Sequence, residues 1–169
     1  MERLWAPWRI QYILSADEPP GVCILCANPA RGPGGFREHG ILCATERAFV
    51  MMNKYPYANG HVMVVPRAHA ADPAALSEQD WRATAELLRG TMGVVKEAMK
   101  AGGLNVGLNL GRAAGAGIDT HLHWHVVPRW DGDHNFMPAV ADVKVMSDSL
   151  EACYERLLPH FASLGQGPT

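Results

Sequence analysis

The run His121-Leu122-His123-Trp124-His125-Val126-Val127-Pro128-Arg129 sets three imidazoles two residues apart. On a β-strand alternate side chains point to opposite faces, so the three histidines line one face while Leu122, Trp124 and Val126 fill the other. Packing and solubility give little reason for such an alternation, and two chemistries are open to it. The triple can hold a metal ion with a position left for water, or one imidazole can attack phosphorus while its neighbours position and stabilise it. The stretch just ahead, Asn109-Leu110-Gly111-Arg112-Ala113-Ala114-Gly115-Ala116-Gly117, brings an amide, an arginine and a small-residue turn. Backbone N–H groups in such a turn form a concave anion site, and glycines such as Gly115 and Gly117 admit a phosphate closely. That neighbourhood favours phosphate.

Cys23-x-x-Cys26 is the other group with chemistry in it. Alone it reads as a redox pair, as two inert apolar side chains, or as half of a structural zinc site. No strand-then-helix pattern of a thioredoxin-like fold surrounds it, which disfavours the first. Cys43 and Cys153 read as plain apolar residues. His39 and His160 lack chemical context, and His134 falls near the rim of the histidine site.

These residues need a scaffold, and hydrophobic periodicity outlines one. Short apolar runs at Ile41–Ala44, Ala48–Met52 and Val62–Pro66, bounded by turn residues, predict an antiparallel meander. Ser77-Glu78-Gln79-Asp80 has the form of a helix start. Trp81, Leu87, Leu88, Met92, Val95 and Met99 then recur at helical spacing until Gly102-Gly103. Leu104, Val106, Leu108 and Leu110 alternate with Asn105, Gly107 and Asn109, a strand whose apolar face meets the helix. Residues 147–161 predict a second helix, with Pro159 inside it. Residues 28–35, rich in Gly and Pro, read as loop. The fold class is α+β: an antiparallel sheet of about five strands with one long helix and a C-terminal helix. The single domain divides into an arm (1–21), a core (22–138), the C-terminal helix (139–164) and a loose tail (165–169).

Composition bounds the function. The chain has 169 residues, 48% of them apolar, and 15 Lys+Arg against 17 Asp+Glu give a net charge of −2. That suits one compact domain and lacks the cationic excess that binding a nucleic-acid duplex requires. A bilayer-spanning helix needs about 20 mostly apolar residues, and no run approaches that, so no membrane is expected. Met1-Glu2-Arg3-Leu4-Trp5-Ala6-Pro7-Trp8-Arg9 carries an acid, a proline and a second arginine where a signal peptide would place its apolar core, so none is expected, and four cysteines are too few for a secreted disulfide scaffold. A cytoplasmic protein is expected.

The His121–His125 run with Val126-Val127 resembles the His-x-His-x-His-hydrophobic-hydrophobic signature of the histidine triad (HIT) superfamily of nucleotidyl hydrolases and transferases. Asn53-Lys54-Tyr55-Pro56-Tyr57-Ala58-Asn59-Gly60-His61-Val62-Met63-Val64-Val65-Pro66 is similar to the family's strand-turn-strand segment. The resemblance spans residues 23–138. It implies that His123 attacks the α-phosphorus of a nucleotide to form a nucleotidyl-imidazole. By the same likeness His125 stabilises the phosphate oxygens, Asn109 binds the α-phosphate, Asn53 meets the ribose and His61 adjoins the site. A backbone carbonyl of the residue two after a triad histidine is the expected partner for the nucleophile's other nitrogen. In zinc-bearing members a Cys-x-x-Cys pair, a histidine placed like His69 and the first triad histidine share the ion. Cys23, Cys26, His69 and His121 would therefore hold a structural zinc.

Where many family hydrolases carry Gln or Ser before the triad, this chain has Gly117 and Ile118. The phrase around the triad, the N-terminal arm and the Pro128-Arg129-Trp130-Asp131-Gly132-Asp133 segment look more like the bacterial diadenosine tetraphosphate phosphorylase, or ATP adenylyltransferase, branch. That likeness implies phosphorolysis of dinucleoside polyphosphates by inorganic phosphate, with an anion site near Arg112 or Arg129. Hydrolysis to a nucleoside monophosphate, phosphoramidate cleavage and a non-catalytic zinc-containing nucleotide-binding module are the alternatives. Phe49 is a candidate for the base pocket. Trp5, Trp8 and Trp130 either stack a base or cover a seam. The arm and the loop at 130–138 are expected to pack across a homodimer seam.

Overall fold

The computed structural model describes residues 22–133 and 146–169. The arm with Trp5 and Trp8, residues 134–138 with His134, and residues 139–145 lie outside the described residues. The order is helix α1 (Ile24–Ala30), strands β1 (Ile41–Ala44), β2 (Ala48–Met52) and β3 (Val62–Pro66), helix α2 (Glu78–Ala98), strands β4 (Gly103–Leu108) and β5 (Trp124–Arg129), and helix α3 (Leu150–Phe161). The strands form one antiparallel sheet in the order β1-β2-β3-β5-β4. This is the predicted α+β architecture.

The meander is apolar along every strand because both of its faces are covered. Val50, Val62, Val64 and Val126 pack with Leu87 and Val95 of α2 and Leu157 and Phe161 of α3. On the other face Phe49, Met51, Met63 and Val65 meet Leu25 of α1 and Phe36. α2 starts where Ser77 Oγ accepts from the Asp80 N–H at 3.1 Å, with Glu78 and Asp80 complementing the helix dipole. It stops at Ala98, and Lys100 takes a left-handed φ of 49°. Ser149 caps α3 through the Ala152 N–H at 3.1 Å, and Tyr154 Oη donates to the Ile41 carbonyl at 3.0 Å, fastening α3 to β1. Pro159 lies inside α3 on its exposed side.

Three expectations change. Residues 28–30 belong to α1, whose first turn is the Cys23-x-x-Cys26 knuckle: the Cys23 carbonyl accepts from the Cys26 and Ala27 N–H groups at 3.0 Å each. The apolar face of β4 is only partly covered, since α2 lies over the inner strands. Leu104 packs on the core, yet Val106 is 39% exposed. The tail is docked along β1, where Gln166 and Ala44 exchange hydrogen bonds at 2.8 and 2.9 Å. Its pairing comes from backbone groups of an edge strand that side-chain pattern does not report.

Candidate active site

β5 begins at Trp124, so of the three histidines only His125 stands on a strand. His121-Leu122-His123 is a lead-in anchored by the Leu122 N–H to the Ala70 carbonyl at 2.6 Å. The three rings therefore do not share one face. The His121 ring turns to the cysteine pair, while His123 and His125 meet edge to face at 5.0 Å. The β3–β5 pairing runs out at Val64 and Trp124, so the last residues of β3 no longer hold the segment before β5 in register. Pro66 instead offers its carbonyl to the His121 ring.

Hydrogen bonds set the tautomer of each ring. His123 Nδ1 donates to the His121 carbonyl at 2.9 Å, which leaves the Nε2 lone pair as its nucleophilic atom. The carbonyl is that of the residue two before His123, not two after. The Tyr57 N–H donates to His61 Nδ1 at 3.0 Å, so the His61 proton is on Nε2, where it donates to His125 Nδ1 at 3.0 Å. His125 then carries its own proton on Nε2, as a neutral donor for an anionic oxygen. Burial, reinforced by the His123 charge, lowers His125 to about 4; burial also lowers His123. Uncharged rings at neutral pH suit both a nucleophile and a donor.

The flanking residues fall around this pair in part. Gly107 pairs with His125 and Leu108 with Trp124, so Asn105 and Gly107 lie on the face of His125, and Asn109 directly follows the last paired residue of β4. Asn53, just past β2, accepts from the Tyr55 N–H through Oδ1 at 2.8 Å and brings Nδ2 within 3.5 Å of His61 Nε2. Gly115 closes the loop before the triad with a φ of 87° and an N–H bond to the Arg112 carbonyl at 2.9 Å. Gly117 lies exposed in the same loop. Phe49 is fully buried in the apolar cluster under α1, so it presents no free ring face to a base. The two candidate phosphate cations are engaged: Arg112 Nε donates to Asp119 at 2.7 Å, and Arg129 donates to both oxygens of Asp133 at 2.6 and 2.8 Å and to Asn105 at 2.8 Å. The roles of Tyr57 and Pro66 escaped the sequence reading because each acts through its backbone.

A second cluster stands behind the triad. Cys23 Sγ lies 3.3 Å and Cys26 Sγ 3.4 Å from His121 Nδ1, and Cys26 Sγ lies 3.3 Å from His69 Nδ1. All four ligand atoms fall within 4.8 Å of one another. Metal bonds of about 2.0–2.3 Å at tetrahedral angles separate ligand atoms by roughly 3.3–3.8 Å; the three thiol–imidazole separations fall in that range, and the four residues could hold a metal ion. His121 Nε2 donates to the Pro66 carbonyl at 2.9 Å, which aims the Nδ1 lone pair at the thiols and supplies the outer partner that metal-binding histidines carry. Burial and the neighbouring Cys23 push the Cys26 thiol up to about 11, so a thiolate there calls for a cation at hand.

Residues 37–132 match the sequence profile of the HIT domain. The chain is 36% identical over 157 residues to an AP-4-A phosphorylase of Mycobacterium tuberculosis, covering 89% of this chain and 79% of that protein. Its fold is similar to that of a histidine triad nucleotide-binding protein of Sulfolobus tokodaii, with a TM-score of 0.67, 25% identity and coverage of 84% and 93%. It is also similar to that of a zinc-bound histidine triad family protein of Mycobacterium smegmatis, with a TM-score of 0.64, 23% identity and coverage of 84% and 94%. The paired rings of His123 and His125, the HIT profile and the extended identity together place this chain in the HIT-domain family.

Proposed function

We propose that the protein is a nucleotidyltransferase that cleaves dinucleoside polyphosphates at the α-phosphorus, with inorganic phosphate as acceptor. The observation that carries the reading is the orientation of His123: its Nδ1–H is held by the His121 carbonyl, which frees Nε2 for attack. Nε2 forms a bond to the α-phosphorus as the bond to the bridging oxygen breaks, and the remaining nucleotide leaves with that oxygen. The ring is now cationic, and the His121 carbonyl that accepts its Nδ1–H stabilises it. The His125 Nε2–H faces the non-bridging oxygens. A phosphate oxygen then attacks phosphorus, the P–N bond breaks, and a nucleoside diphosphate departs while His123 regains its lone pair. Asn109, Gly115 and Gly117 bind the α-phosphate and Asn53 meets the ribose. The likeness to an AP-4-A phosphorylase supports phosphate over water as acceptor.

Cys23, Cys26, His69 and His121 hold a structural zinc in this reading, supported by the closeness of their four ligand atoms. An ion held by these four residues would cross-link α1 to the segment that carries His123. It needs reduced thiols, in keeping with a cytoplasmic protein whose described cysteines are free. Two copies pair through the open edge of the sheet.

Brief mixing with diadenosine tetraphosphate, followed by denaturing mass spectrometry, tests the reading. An adenylyl adduct on His123, and ADP that forms only when phosphate is supplied, support it. AMP produced without phosphate replaces phosphorolysis with hydrolysis, and absence of both adduct and product overturns it.

A further inference from the structure

A cleft of about 450 Å³ opens on the histidine face, further along β5 than His125. Its floor is Val127 and its cross-strand partner Asn105. Between this floor and the reacting rings stands Gly107, opposite His125, where an added Cβ would meet nothing within 4 Å. The space over Gly107, beside His125, is therefore open. Tyr57 forms one wall; its ring stacks on His61 at 4.9 Å, lies 5.9 Å from His125 and is 39% exposed. Met146, 37% exposed, also lines the cleft.

The described lining groups point to the kind of ligand. Among the described lining residues Arg129 is the one cation, and Asp133 already clasps it with two hydrogen bonds. Asp131 adds a second carboxylate, so the formal balance of these three is −1. The two carboxylates offer acceptors to hydroxyl and amino groups. The cleft's size falls in the range of about 300–1,000 Å³ found for small-molecule sites, far more than one phosphate fills. Two residues of strand separate Val127 from His125, about 7 Å, a distance that a short polyphosphate chain crosses.

We infer that this cleft binds the nucleoside of the departing nucleotide, so that the enzyme holds both ends of its dinucleoside substrate. The inference rests on the transfer reading above and assigns the second half of the same substrate.

Two arms test it in the full chain. In the first, turnover of diadenosine tetraphosphate is compared with that of adenosine 5′-tetraphosphate, which presents the same reacting phosphate without the second nucleoside. Wild type prefers the dinucleotide, and Asp131→Ala or Ser147→Trp lowers that preference roughly tenfold, the worth of about one hydrogen bond to a charged group. Turnover of adenosine 5′-tetraphosphate stays unchanged. In the second, equilibrium dialysis of labelled adenosine against the same three proteins shows two nucleosides bound per wild-type chain and one in both variants. Equal use of the two substrates, with adenosine binding unaltered by either substitution, overturns the cleft assignment and leaves the transfer reading standing. No turnover of either substrate overturns the transfer reading, and the dialysis arm then still decides whether the cleft takes a nucleoside.

Discussion

The proton positions on His61, His123 and His125 decide what these residues can do. His123→Ala removes the nucleophile and is expected to lower turnover by at least about a thousandfold, as loss of a covalent catalyst does, while nucleotide affinity measured by calorimetry stays within a few-fold. His61 is a positioning residue, since it acts through His125 Nδ1. His61→Ala is expected to lower kcat more than it raises KM. His61→Gln, which keeps an N–H donor, is expected to recover part of the loss; equal loss in both variants counts against the relay. Acid stability provides a further check. His125 titrates near 4 in the folded protein and near 6.5 when unfolded, so between those values the unfolded chain binds the extra proton and stability falls as pH falls. The contribution, full above pH 6.5 and lost towards pH 4, is on the order of 3 kcal/mol, less what solvent screens at this partly exposed ring. His125→Phe is expected to flatten this part of the curve of melting temperature against pH.

Among the elements, α1 and the segment before β5 depend on one another through the thiol–imidazole cluster. Removal of zinc by a chelator is expected to lower stability by about 3 kcal/mol relative to protein with ion at a hundred times its Kd. Cys26→Ser is expected to abolish this dependence, read as the shift in melting temperature on adding zinc. The docked tail gives a second test. A Cβ at Gly165 would lie 2.7 Å from the Ala44 carbonyl oxygen, closer than van der Waals contact allows. Gly165→Ala is therefore expected to cost about 1 kcal/mol and to expose the Gln166 amide to hydrogen exchange.

For the whole molecule, the open edge at β4 is the feature that bears on assembly. Among the described residues no strand pairs with its outer side. Val106, Leu110 and Trp81 are 39%, 46% and 37% exposed, and Trp81 lies against Trp124 at 6.0 Å. An exposed apolar edge strand is a template for another chain. Sedimentation is expected to show a dimer for the wild type and a monomer for Val106→Lys, a solvent-facing change with little effect on the isolated fold. A dimer that survives this substitution places the interface elsewhere.

The strands of the meander, α2 and α3 were legible in the sequence because each buries a face whose period shows in the order of residues. Cys23 and Cys26 were legible as a pair of ligand types, which the resemblance to the HIT superfamily joined to His69 and His121, and His123 and His125 as two of three alternating histidines. Tertiary structure alone decided the rest. Which ring turns to the thiols, and which nitrogen of each imidazole keeps its proton, depends on the carbonyls of Pro66 and His121 and the N–H of Tyr57. Those groups are the same in every residue but proline's missing N–H, so residue type cannot announce them. The engagement of Arg129 by Asp133 and the open floor at Gly107 likewise follow from how segments distant in the chain, or a loop end, come to rest beside the strand, which no local pattern encodes.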